Sequence, residues 1–110
     1  MHFLIVALDR PDAFDRRLAT RDEHLAGVQQ GRLDSIVVDG GAIIGDDQRP
    51  RGSAMILNLP DRESVEARLA ADVYSRERVW GRSRFILYTA PRFKLSKFFI
   101  SENCTKKHNA

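Results

Sequence analysis

Residues 3–31 read FLIVALDRPDAFDRRLATRDEHLAGVQQG, and their hydrophobic period changes partway along. Phe3 to Leu8 form a short, nearly continuous apolar run with β-branched members, the pattern of a strand central in its sheet. After it the period lengthens. Phe14, Leu18, Leu25 and Val28 fall within about 80° of arc at roughly 100° per residue, which predicts an amphipathic helix over residues 12–29 with Gly31 as its stop. Arg21 stands inside that stripe, where a leucine is expected, and His24 follows three residues later at its edge. Two explanations compete: Arg21 snorkels past the sheet edge beside a half-exposed His24, or the pair lines a small polar pocket.

Outward from this stretch, residues 33–44 (LDSIVVDGGAII) carry strand formers interrupted by Gly40-Gly41, the mark of a bulge, a bend or a close approach. The polar GDDQRPRG then leads into SAMILNL, giving a strand-loop-strand hairpin. Asp61 is placed to cap a second helix over RESVEARLAAD, with Val65 and Leu69 on its inner face. VYSRERVWGRS matches no period, and RFILYTA supplies a last strand that ends before Pro91. The order β-α-β-β-α-β is that of the α+β ferredoxin-like fold, a four-stranded antiparallel sheet with two helices on one face. Its other face is left bare. With Leu4, Val6, Val37, Met55 and Leu57 among the contributors, a second copy of the chain is expected to cover it, making a homodimer.

At 110 residues, 43% hydrophobic and 30% charged, the chain has the size and composition of a single globular domain. One cysteine, Cys104, excludes an internal disulfide and a multi-cysteine zinc site. MHFLIVALDRPD is too short an apolar run for a span and lacks the basic start of a signal peptide, so a cytoplasmic protein without membrane association is expected. The net charge of +3 is local. Residues 1–90 hold 13 arginines and 14 acids, whereas 91–110 hold five basic residues, four of them lysine, against one acid. The expected division is therefore a domain over 1–90 and a basic tail over 91–110, in which LSKFFI is expected to add one short strand or helix and the last eight residues to fray.

Asp72 is a candidate partner for the polar pair, the alternative being a solvated helix terminus. Counted from Val65 it lies at about −20° on the inner face if the second helix persists that far, at the carboxyl end, where an anion gains from a neighbouring cation. A His24-Asp72 pair suits general acid–base work, the carboxylate holding the imidazole in place. Ser53 and Gly41 are candidates to bind a ligand, as hydroxyl donor and as a point of close backbone approach, although each is also ordinary turn chemistry. Tyr74 either covers the pocket or packs, and Trp80 belongs to the core or a dimer interface. The scattered His2, His24 and His108 make no metal site, Asp46-Asp47 reads as a solvated turn, and no cofactor is implied.

The stretches RDEHL, GG…GDD…RGS and AADVY…VW, in this element order, are similar to the YciI-like family (YCII-related domain) across residues 3–88. That resemblance implies a dimeric α+β barrel, an active site at His24 and Asp72, and proton-transfer or elimination chemistry of lyase or isomerase type on a small organic acid or phenol. The chain departs from the family's Asp-Pro-Tyr at Asp72-Val73-Tyr74, losing a restraint on helix ending, and its tail has no family counterpart. Three functions are weighed: this enzyme, with Arg21 as anion clamp; a non-catalytic dimeric module for small-ligand binding or assembly; and an RNA binder. The RNA-recognition motif shares the strand order but stacks bases on aromatics in its third strand, and RGSAMILNL has none.

Overall fold

The computed structural model describes residues 1–88. The tail over 91–110, with LSKFFI and Cys104, lies outside the described residues. In chain order the elements are β1 (His2–Asp9), α1 (Phe14–Leu33), β2 (Val37–Ile44), β3 (Pro50–Asn58), α2 (Arg62–Ala71), a one-turn α3 (Val73–Arg76) and β4 (Trp80–Tyr88). The strands form one sheet in the order β2-β3-β1-β4, every neighbouring pair antiparallel. This is the expected ferredoxin-like α+β fold. The apolar run at the amino terminus is the central β1, whose Phe3, Ile5 and Ala7 face the helices and are almost fully buried.

These residues meet Leu57, Val65, Leu69, Val73, Tyr74, Val79 and Trp80 in a single core cluster. Asp61 caps α2 as expected: its carboxylate accepts hydrogen bonds from the Ser64 N–H at 2.8 Å and the Ser64 hydroxyl at 2.7 Å. These two bonds hold its pKa below the ordinary carboxylate value. The Asp46-Asp47 turn is closed by the Arg49 N–H donating to Asp47 and by an Arg51-Asp47 ion pair, which lowers the Asp47 pKa.

Several expectations need correction. α1 runs to Leu33, and Gly31 is not its stop but a buried helical position where an added Cβ would meet Val37 Cγ2 at 2.6 Å. The inward face of α1 is also different. Ala13, Arg17 and Gly31 are buried and Thr20, His24 and Val28 half-buried, a stripe centred about 80° round the helix from the Phe14–Leu25 stripe at roughly 100° per residue. Leu18 and Leu25 are exposed, and so is Arg21. β4 begins at Trp80, within the stretch that showed no period.

Of the five residues assigned to the bare sheet face, Leu4 and Val6 lie there, but Val37, Met55 and Leu57 face the helices. The open face carries Leu4, Val6, Leu8, Ala54, Ile56 and Ile86 instead, by strand alternation from the register. No helix among the described residues is long and apolar enough to cross a membrane.

Candidate active site

α2 stops at Ala71 although no proline follows Asp72. Asp72 takes an extended conformation (φ −71°, ψ 142°) that ends α2 and starts α3, and its carboxylate accepts the Tyr74 N–H at 2.9 Å. The expectation that Asp72 sits in a helical carboxyl terminus is thereby corrected: it is the amino-terminal cap of the next turn, where backbone N–H groups favour an anion. The same carboxylate meets His24 of α1, with Nδ1 at 2.9 Å from Oδ1 and 3.0 Å from Oδ2. An ionised carboxylate only accepts, so Nδ1 carries the hydrogen and Nε2 is left as the ring's free nitrogen. The two side chains are only 11% and 21% exposed, which keeps the contact from dissolving into water.

Tyr74 directly follows the cap and its ring lies against the imidazole, centroids 4.0 Å apart and planes 11° from parallel. Trp80 meets both rings edge-on, at 5.8 Å from His24 and 5.6 Å from Tyr74. The imidazole is therefore fixed by a carboxylate at one nitrogen and by aromatic surfaces around it. Burial pushes the Tyr74 hydroxyl above its ordinary pKa, against the opposing pull of the Arg17 and Arg21 charges.

A second polar unit lies beside the first. Arg17 Nε donates to Asp9 Oδ2 at 2.7 Å and Nη2 to Oδ1 at 3.1 Å, a two-pronged pair whose side chains are 6% and 4% exposed. Nη2 also donates to the Ser53 hydroxyl at 2.8 Å, which accepts the Trp80 indole N–H at 3.1 Å as well. The guanidinium carbon stands 4.6 Å from the Tyr74 ring centroid. Sequence reasoning missed Arg17 and Asp9. The available signals were that Asp9 continues the inward alternation Phe3-Ile5-Ala7, and that Arg17 shares a helix face with His24, two turns on.

Both units border one hollow of about 210 Å³, lined by Arg17, Arg21, His24, Gly41, Ser53 and Tyr74 together with Leu25, Val28, Met55 and the β2 backbone. All six anticipated residues have a place in or beside it: Asp72 stands behind His24, Arg21 reaches it from an exposed position, and Gly41 borders it where an added Cβ would find open space. Trp80 is a core residue, 6% exposed. His24 also borders a second hollow of about 350 Å³, lined by Asp72, Arg68, Gly27 and Leu69 among others.

No family model matches the chain. A curated relative, "Aspercryptin biosynthesis cluster protein B" of Emericella nidulans, is 32% identical over 85 residues, covering 71% of this chain and 54% of the relative. The chain thus spans about half the length of that relative. Among solved structures, the 5-chloro-2-hydroxyhydroquinone dehydrochlorinase of Burkholderia phenoliruptrix AC1100, in complex with 2,5-dihydroxybenzoquinone, superposes with a TM-score of 0.73. That match has 23% identity and covers 83% of this chain and 96% of the other. It shows a shared fold. The shared fold and the 85-residue sequence match together support the resemblance to the YciI-like family.

Proposed function

We propose that this protein is a small-molecule enzyme whose His24-Asp72 pair moves protons on a small organic acid or phenol. The observation that carries the reading is the contact of His24 Nδ1 with both Asp72 oxygens at 2.9 and 3.0 Å, which leaves Nε2 without a partner among the described residues, on a side chain that lines the adjoining hollow. Nε2 then acts as the base, Asp72 stabilises the imidazolium that forms, and Arg21, free of ion-pair partners among the described residues, attracts an anionic substrate. Gly41, Ser53 and Tyr74 complete the binding surface.

A hollow of about 210 Å³ falls below the roughly 300–1,000 Å³ of sites for drug-sized ligands, which restricts the substrate to about one ring. The dehydrochlorinase of shared fold binds a one-ring quinone, which supports that size class and an elimination or isomerisation type of reaction. We take the working form to be a cytoplasmic homodimer covering the open sheet face, where Leu8 and Ile86 are 45% and 42% exposed.

The test is a thermal-shift screen of small acids, phenols and 2,5-dihydroxybenzoquinone against the parent and His24→Ala. Ligands that bind stabilise the parent by an amount that grows with concentration, and those shifts are expected to shrink in the variant. Identical profiles for the two proteins refute the reading and favour a non-catalytic binding or assembly module.

A further inference from the structure

We propose that the Tyr74 hydroxyl is the donor that holds the oxyanion formed when His24 takes a proton, so that the substrates of this site are phenols or enols whose acidic oxygen lies against Tyr74. The inference rests on the acid–base reading of the His24-Asp72 pair.

Tyr74 is 1% exposed, among the largest fully buried side chains of the protein. Its backbone N–H is bonded to Asp72, whereas its hydroxyl has no protein partner among the described residues. No buried side-chain polar atom there lacks a partner, so the small accessible area Tyr74 retains includes its oxygen, and Tyr74 is one of the residues that line the hollow. A buried phenol whose one polar atom is open to a ligand space is a preformed donor. Its ring lies parallel to the imidazole with centroids 4.0 Å apart, and both residues line the same hollow.

The surrounding charges fit this role. The Arg17 guanidinium, 4.6 Å from the ring centroid, is neutralised by Asp9; Arg21 adds a positive charge at the mouth; and Asp72 lies behind His24. Burial holds the Tyr74 proton in place through neutral pH, so the group donates a hydrogen bond without ionising. The step balances without a co-reactant. Nε2 takes the proton of a substrate O–H, or of a C–H next to a carbonyl; the electron pair of that bond becomes negative charge on the substrate oxygen; and the Tyr74 O–H···O⁻ bond stabilises it with no bond to Tyr74 made or broken.

The experiment uses the full chain, 4-nitrophenol and its visible phenolate absorbance, with parent, Tyr74→Phe and His24→Ala proteins. Tyr74→Phe keeps the ring on the imidazole and removes only the oxygen, and unchanged melting and circular dichroism will show that it folds. The parent is expected to lower the pKa of bound nitrophenol below the free value. Tyr74→Phe is expected to weaken phenolate binding by roughly ten- to a hundredfold, the size of one hydrogen bond to a charged group, and to return the bound pKa towards the free value. Equal phenolate affinity in Tyr74→Phe and parent overturns the proposal, and with ligand shifts that still depend on His24 it leaves the acid–base reading standing. A parent that binds neutral ligands and no phenolate also overturns it. A strong Tyr74→Phe effect with ligand shifts indifferent to His24 supports the Tyr74 donor and refutes the role of His24 instead.

Discussion

Replacing Arg17 by Met should cost the protein a large share of its stability, because it leaves Asp9 as an unpaired buried carboxylate. Both side chains of the pair are at most 6% exposed, and the guanidinium satisfies both Asp9 oxygens and the Ser53 hydroxyl at once. Removing one partner of such a buried pair costs about 3–5 kcal/mol, most of it the stranded charge, while Met keeps an apolar stem in place of the arginine's. Domains of this size have about 5–15 kcal/mol in total, so the loss ranges from about a fifth to all of it. At about 4–8 °C per kcal/mol the melting temperature falls by on the order of 12–40 °C. Urea unfolding followed by the fluorescence of Trp80, the one tryptophan, reads the change directly, since its indole shares the Ser53 hydroxyl with Arg17. Adding Asp9→Asn should recover part of the loss by removing the stranded charge. A loss under about 1 kcal/mol for Arg17→Met, the worth of an exposed ion pair, refutes the argument, as does a double variant less stable than the single one.

The same pair explains why the sequence told less about α1 than about β1. In β1 the inward positions Phe3, Ile5 and Ala7 are apolar, so alternation reveals both the strand and its central place. On the inward side of α1, the cap residue Ala13 and Gly31 are small, Gly31 where a Cβ would meet Val37, and Arg17 and His24, which line the hollow, are polar. A hydrophobic stripe therefore cannot point to the core there. Phe14, Leu18 and Leu25 set a phase that points away from the core, so the buried arginine is Arg17 while Arg21 borders the hollow from an exposed position, and His24 lies near both phases. Helical spacing turns Asp72 inward, yet that spacing does not hold at residue 72, where an extended residue interrupts the helix. His24 and Asp72 are joined by the cap of α3, a one-turn helix too short to leave a period in the sequence.

Two further outcomes are expected. The folded Asp61 pKa lies below its unfolded value of about 3.8, so the cap contributes stability that is fully present above that value and is lost as pH falls through the lowered folded one. The stability difference between parent and Asp61→Asn should then be constant from neutral pH down to about pH 5 and shrink below about pH 4, and a difference that grows on acidification contradicts the assignment. Gly27 and Gly31 sit one turn apart on α1 and should respond to Ala with opposite signs, measured as urea midpoints. At Gly27 a Cβ meets nothing within 4 Å, so the helix gains about 1 kcal/mol of propensity. At Gly31 the same propensity gain is opposed by contact with the Arg68 guanidinium, which can swing away, and with Val37 Cγ2 at 2.6 Å, which cannot because Val37 is 8% exposed and held in the core. Overpacking of that kind costs about 1–3 kcal/mol, enough to reverse the sign, and a Gly31→Ala protein as stable as Gly27→Ala would mean that α1 does not approach β2 as closely as Gly31 requires.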